Sequence, residues 1–416
     1  MSKSALWMLP HQDNDKLKVH NMKILIVNRA LGTLIGGGEV NDLNAARYLT
    51  QRGHDVTVIT GAPLFEKARN FFADLRIVYL KTPLLYKYAY RLEKISIKLS
   101  AAIRHLDYYL FEWTVLRWLR RQERSFDIIQ MCSLFNLLPE KLLTEFNCPC
   151  VSWLPGPPSR FTQRKIRKLV QYRNFGMFTH GTPEKTLLNM ELKKGREYEI
   201  IEPGIELNII DQEPSQSKSE ERTKAGFHED DLLGVTTARL LPIKNHDLLL
   251  KAIAQVKKKG IIWNWIFAGD GSLTDYLKQK TSELGIEKQV HWLGNVNRTA
   301  VHRLLHMADL FALVSVYESF SIATLEAMAH CLPVIATQVG YLQRLVDETG
   351  TGILVPSDDV EALAAALVKM ADPEIRNLYC GQGRKFVERM DWPRIAEKLE
   401  ALYLRLQRPK CCREEP

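Results

Sequence analysis

The chain is predicted to be an α/β protein made of two Rossmann-like, doubly wound halves. Three observations carry this. Short apolar, β-branched runs alternate with helix-patterned segments along most of the 416 residues. The alternation starts twice, at Met22 and again at Leu232. Between the two series lies a polar stretch, DQEPSQSKSEERTKA (211–225), with the composition of a linker or surface loop. The expected organisation is an N-terminal extension (1–21), a first domain (22–210), a second domain (211–385) and a C-terminal helix with tail (386–416). Two such halves leave a deep cleft, with the ligand at the carboxyl ends of the strands.

Composition narrows the functional classes. A hydrophobic content of 46% with 25% charged residues suits a soluble globular protein. The net charge of +9 favours anionic partners: phosphorylated small molecules, anionic lipid surfaces or nucleic acid. No DNA- or RNA-binding motif accompanies that charge. No apolar run is long enough for a transmembrane helix. The apolar patch before His11 and Asp13 is too short for a secretory signal. The cysteines (Cys132, Cys148, Cys150, Cys331, Cys380, Cys411, Cys412) are scattered, without paired CxxC units or HExxH. The expectations are no metal, no cofactor and a reducing, cytoplasmic location.

In the first half, Met22–Asn28 reads as a strand, followed by the Gly-rich loop containing Gly36, Gly37 and Gly38, a helix from Val40 to Gln51, and a strand from Asp55 to Thr60. The loop spacing is neither GxGxxG nor a P-loop, so it implies only a close backbone approach to a ligand. Residues 78–126 carry ten Lys or Arg against four Asp or Glu, interleaved with Tyr, Phe and Trp. Such basic, aromatic-rich helices suit an anionic membrane surface, and the run Arg160–Arg173 extends the patch. A helical pair with a solvated basic face is the alternative. Further strands are read at 127–130, 150–154, 177–179 and 199–201. His180 directly follows one of them, which makes it a cleft-facing candidate on the acceptor side.

The second half alternates more regularly. Strands are read at 232–237, 263–268, 290–293, 310–316, 333–336 and 351–355, and helices at 247–258, 273–284, 299–306, 322–329, 360–370 and 393–406. The candidate residues follow strands: Arg239 and Lys244 the first, Gly269 and Gly271 the second, Glu318 the fourth. Ser319 and Ser321 stand where helix N-caps belong. Glu318 sits at the turn, and Glu326 lies about two helical turns on. Free N–H groups of a helix N-terminus attract phosphate, and flanking carboxylates accept hydrogen bonds from polyols. Two cations and this helix end suit a diphosphate carrying a sugar, with Arg and Lys in place of a metal ion.

At this point the sequence resembles a retaining glycosyltransferase of family 4 with the GT-B architecture, over about residues 22–405. The likeness rests on ARLLPIKNHD (238–247), FAGDG (267–271), WLG (292–294) and YESFSIATLEAMAHCLPVIAT (317–337). It implies that Glu318 and Glu326 form the EX7E pair and that Arg239 and Lys244 bind the diphosphate. It further implies that the Phe320 and Ser321 N–H groups and Thr324 face donor sugar and phosphate. The loop of Gly36, Gly37 and Gly38 would lie opposite the donor, and the last helix would cross back to the first domain. The chain departs from the family pattern in both halves. Gln130-Met131-Cys132 stands where a His-x-His is frequent, and Pro155-Gly156 where His-Asp is. Ser319, Ser321 and Tyr341 replace usual glycines, and Gln343-Arg344 a Pro-Glu pair.

The expected function is transfer of a sugar from a UDP- or GDP-linked donor to a glycan or lipid-linked acceptor, in surface polysaccharide or glycolipid synthesis, at the cytoplasmic membrane face. The expected partners are that nucleotide-sugar donor, the acceptor and an anionic membrane surface, with no nucleic acid. The alternatives are a non-catalytic nucleotide-sugar-binding partner of the same fold and a metal-free sugar epimerase.

Overall fold

The computed structural model describes residues 21–407 apart from 32–36, 62–72, 84, 86–87, 89–95, 123–124, 133–136 and 213–215. The N-terminal extension up to residue 20, Gly36 and the tail from 408 lie outside the described residues.

Thirteen strands form two all-parallel sheets among the described residues. The first has the order β3-β2-β1-β4-β5-β6-β7, with β1 Lys23–Val27, β2 Asp55–Thr60, β3 Arg76–Tyr79, β4 Ile128–Cys132, β5 Cys150–Leu154, β6 Phe175–Thr179 and β7 Tyr198–Ile200. The second has the order β10-β9-β8-β11-β12-β13, with β8 Leu232–Thr237, β9 Trp263–Ala268, β10 Val290–Gly294, β11 Leu310–Leu313, β12 Val334–Thr337 and β13 Gly352–Val355. The two-Rossmann architecture expected from the sequence is therefore present. Each strand order reverses once, between β1 and β4 and between β8 and β11. Those reversals open the crevices where doubly wound sheets take their ligands.

The helices of the first half are α1 Gly37–Gln51, α2 Ile97–Leu119, α3 Leu138–Thr144, α4 Arg160–Leu169 and α5 Gly181–Asn189. Then follow α6 Leu207–Gln212, α7 Lys218–Ala225, α8 His246–Lys258, α9 Thr274–Glu283, α10 Arg298–Met307, α11 Ile322–Ala329 and α12 Gly340–Thr349. The chain closes with α13 Val360–Ala371, α14 Pro373–Tyr379, α15 Arg384–Val387 and α16 Trp392–Gln407. Strand alternation splits the first core. Ile24, Ile26, Val58 and Val151 pack under α1 and α16, and Leu25, Val27, Ile59 and Ile129 under α2, α3 and α4.

The structure shifts the expected domain hand-overs. Ile205, Leu207 and Ile210 pack in the second core, as do Val387 and Met390. The chain thus leaves the first core after Ile201 and returns at Trp392, rather than at 210 and 385. The two crossings run side by side: Ile205 N–H donates to the Met390 carbonyl (2.9 Å) and Trp392 N–H to the Ile205 carbonyl (3.0 Å). The polar stretch 211–225 is not all loop, because α7 is nucleated by a capping box between Ser217 and Glu220 and closed by Gly226 at φ 84°.

Helix α2 has an unusual distribution of polarity. Ser100, Asp107 and Glu112 are buried, while Leu99, Leu106, Tyr109 and Trp113 are exposed. Asp107 pairs with Arg29 (2.9 Å), and the Glu112 carboxylate accepts from the N–H groups of Leu137 (2.5 Å) and Leu138 (3.2 Å), capping α3. At 100° per residue the four exposed apolar positions fall within an arc of about 80°. Phe161 of α4, 65% exposed, touches His105 of α2 edge-on and extends this apolar face.

Candidate functional site

The carboxyl ends of both sheets meet at a cavity of about 610 Å³. The second domain contributes Arg239 and Lys244 from the loop after β8, Arg298 from the start of α10, and Glu318, Phe320, Ser321 and Glu326 from the end of β11 and from α11. The first domain contributes Gly37, Gly38, Asn41 and Asn44 of α1, Trp153 of β5 and His180 after β6. Residues from distant parts of the sequence are thus brought to one place. Two helix N-termini, of α1 and α11, approach each other here. A Cβ added at Gly37 would lie 3.2 Å from the Ile322 side chain. Such paired ends concentrate unpaired N–H groups and positive dipole ends on one volume.

Glu318 is held on three sides. Lys244 Nζ donates to its carboxylate, as does Ser315 Oγ at 3.3 Å, and Tyr341 N–H donates to its carbonyl at 3.2 Å. Gly340 (φ 51°) lies against that carbonyl, where a Cβ would come within 2.0 Å of the oxygen, so the position requires glycine. Arg239 is set by its own carbonyl, which accepts from the His246 ring (3.1 Å). Burial pushes His246 down to about 4, so its ring is neutral.

Glu326 is half-buried, and its desolvation raises its carboxyl above the usual range, opposed by Arg298 at 3.7 Å. Arg298 also pairs with Glu206, which lies 3.7 Å from Arg47 of α1. This ladder of alternating charge reaches from the second domain through the inter-domain crossing to the first. Ser321 caps α11 by accepting from Thr324 N–H (3.2 Å), with a backbone φ of 123°.

Gly269, Gly271 and Thr324 do not line the cavity. The two glycines let the loop after β9 lie on the backbone of residues 238–240. A Cβ at Gly269 would sit 1.9 Å from the Ala238 carbonyl oxygen, and one at Gly271 would sit 2.3 Å from that of Leu240. They shape the Arg239 loop from behind. Thr324 is buried and its hydroxyl pairs with Ser321 Oγ (2.8 Å). His180 does line the cavity. Its Nε2 donates to the Pro155 carbonyl (2.8 Å), its ring lies 5.1 Å from that of Phe320, and burial pushes it down to about 4. Thr182, two residues on, donates to the Ser319 carbonyl across the domain boundary.

Gln130 is turned inward and Cys132 is half-buried. Gln130 donates to Asp42 (3.1 Å) and accepts from Tyr403 of α16, and Asn28 donates to Asp42 (2.6 Å). Burial raises Asp42 to about 7. The sequence reading missed Arg298, Asn41, Asn44 and Trp153. Arg298 follows a strand, as the other candidates do, so the same rule applied to β10 points to it.

Residues 217–385 match the family described as glycosyl transferases group 1. Over 184 residues the chain is 32% identical to the D-inositol 3-phosphate glycosyltransferase of Mycobacterium marinum, a match covering 44% of this chain and 39% of that protein. The chain spans less than half the length of the first curated relatives it matches. Among solved structures, a glycosyltransferase from Rickettsia africae superposes with a TM-score of 0.71 at 16% identity, covering 93% of this chain and 99% of the other. HepE of Anabaena, solved with UDP, superposes at 0.69 and 20% identity, covering 92% and 99%. These likenesses concern the fold, which is GT-B.

Proposed function

We propose that this chain, with a glycosyl transferases group 1 domain on a GT-B frame, is a retaining glycosyltransferase of family 4. It takes a sugar from a UDP- or GDP-linked donor and passes it to a glycan or lipid-linked acceptor in surface polysaccharide or glycolipid synthesis. The observation that carries this is the single cavity holding Arg239, Lys244, the α11 N-terminus, Glu318 and Glu326 together. HepE, bound to UDP on the same fold, supports a nucleotide donor.

In this reading Arg239, Lys244 and the N–H groups of Phe320 and Ser321 stabilise the departing diphosphate. Glu326, steadied by Arg298, accepts from the ribose hydroxyls. Glu318 accepts from the donor sugar, and its ion pair with Lys244 opens to receive the donor. Closure of the first domain, with Gly37 and Gly38 opposite the donor, excludes water. Glu318→Ala and Arg239→Ala should each lower sugar transfer on the order of a hundredfold, with turnover unchanged by EDTA. Wild-type rates in either variant would sink the assignment.

One observation favours a second reading, a partner that binds nucleotide sugars without turning them over. Gln130 is sealed into a buried network, and neither it nor Cys132 offers a catalytic imidazole. Calorimetric donor binding with neither hydrolysis nor transfer would decide for it.

The exposed apolar face of α2 and α4 supports a cytoplasmic enzyme docked on an anionic membrane. Leu99, Leu106, Tyr109, Trp113 and Phe161 would enter the headgroup region, with exposed Lys98, Arg117, Arg160, Arg164, Arg167 and Lys168 around them. Vesicles containing anionic lipid should retain the protein at low salt and release the Trp113→Glu variant. Equal recovery with neutral vesicles would remove the membrane from the proposal and leave the enzyme standing.

A further inference from the structure

We infer that Tyr341 is a positioning residue: with Phe320, His180 and Thr182 it seats the first domain against the loop that carries Glu318. This rests on the donor reading above, in which both halves must meet the donor at a set angle.

The loop Glu318-Ser319-Phe320 is gripped at every residue. Tyr341 N–H donates to the Glu318 carbonyl (3.2 Å). Thr182 Oγ1, at the start of α5 in the first domain, donates to the Ser319 carbonyl. The Phe320 ring meets two others: Tyr341 of α12, stacked with centroids 4.6 Å apart, and His180 of the first domain at 5.1 Å. His180 also meets Tyr341 edge-on at 6.4 Å, so the three rings form one cluster across the domain boundary. Phe320 and Tyr341 are each 5% exposed and His180 is 2% exposed, so solvent does not separate them. Aromatic groups in contact prefer offset or edge-on arrangements, which gives the cluster a defined geometry.

Tyr341 does not line the cavity, so its ring acts on the site only through these neighbours. It is also a position where the chain departs from the family pattern, with a ring in place of a usual glycine. Arg344, three residues on in α12, stands over that ring (5.9 Å) and comes within 4.0 Å of Glu184 of α5. That ion pair is half exposed on the Arg344 side and adds little beside the buried rings. The cluster stands next to the first crossing between the halves: Ile201 N–H donates to the carbonyl of Thr179, the residue before His180. A contact this close to the joint acts through a long lever, since a small rotation there becomes a large displacement across the cavity. The first domain brings Gly37, Gly38 and Trp153 to the cavity, whereas the cations Arg239 and Lys244 belong to the second. Loss of the seat therefore spares donor affinity and misplaces the first-domain wall. A displacement of about 1 Å can cost on the order of a hundredfold in rate.

The test uses the full chain, with UDP-glucose and GDP-mannose as donors and solution X-ray scattering as a readout independent of turnover. Tyr341→Ala should enlarge the radius of gyration relative to wild type, and Tyr341→Phe, which keeps the ring, should restore it. On the donor that the wild type turns over, Tyr341→Ala should lower kcat about tenfold or more while KM moves less than about threefold, and Tyr341→Phe should recover most of the lost kcat. Thr182→Val removes the bond to the Ser319 carbonyl from a half-buried side chain and should lower kcat about threefold at unchanged KM; it carries the same test where Tyr341→Ala does not fold. A Tyr341→Ala variant that melts earlier but scatters and turns over as wild type would make the cluster ordinary packing and overturn the assignment. So would a wild-type kcat in Thr182→Val, or a rise in KM with kcat unchanged in either variant. Turnover of neither donor by the wild type would count against the donor reading instead, and the scattering comparison would still decide whether Tyr341 seats the first domain.

Discussion

Ser321 shows how a single residue can serve a helix and strain it at once. Its hydroxyl caps α11, but its φ of 123° lies where side chains with a Cβ rarely sit. Such backbone strain costs on the order of 1–3 kcal/mol, whereas a glycine N-cap gives up only a few tenths relative to serine. Ser321→Gly should therefore raise stability by about 1 kcal/mol, seen as a higher midpoint in urea unfolding; an unchanged or lower midpoint would contradict the strain. The capping role was legible in the sequence, because Ser321 stands between a strand and a helix-forming run. The strain was not, since φ is set only in the folded chain, where the neighbouring Phe320 ring packs against Tyr341 (ring centroids 4.6 Å) and His180. The same division runs through the site. Glu318 and Arg239 announce themselves by following strands. Asn41 and Asn44 become notable only when α1 is laid against the other domain and their carbonyl oxygens are left without partners.

At the scale of elements, α16 is seated on two glycines. A Cβ at Gly204 would meet the Trp392 ring at 2.5 Å, and one at Gly176 would meet Leu406 at 2.9 Å. Trp392 in turn stacks on Tyr48 of α1 (5.7 Å). Gly204→Ala should cost about 1–3 kcal/mol by overpacking, measured by urea unfolding. Gly156→Ala, where nothing lies within 4 Å, should be close to neutral. Equal effects would show that α16 gives way easily. The helices read in the second half match to within about one residue at each end, because apolar periodicity and strand alternation agree there. Other elements were not read, among them α12, α14 and α15. Strand β3 has exposed ends and runs into the basic, aromatic segment, which hides its period of two. Helix α7 is polar throughout, and its signal was the Ser217–Glu220 capping box rather than an apolar face.

Over the whole molecule, buried imidazoles set the response to acid. Burial pushes His180, His246 and His302 down to about 4 and His330 to about 3. Each stays neutral in the folded chain but takes up a proton near pH 6.5 once unfolded. Their stabilisation is therefore present above about pH 6.5 and is lost as pH falls towards 4. Asp42, raised to about 7, acts in the opposite sense, as do the raised carboxyls of Glu112, Glu326 and Asp391, but the lowered imidazoles, with His291 and His306, outnumber them. The Tm should fall between pH 7 and 5; a flat or rising Tm would show that these rings are not buried neutral. The return of α16 to the first core also has a consequence in time. Ile395, Leu399, Leu402 and Tyr403 complete that core from the far end of the chain. On a ribosome adding about 5–20 residues per second, the first domain waits on the order of ten seconds or more while the second is made. Its β1–β7 sheet spends that interval with one face covered by α1 but not by α16, so a growing chain stalled before Trp392 should be a client for chaperones even though every strand of its first domain has been synthesised.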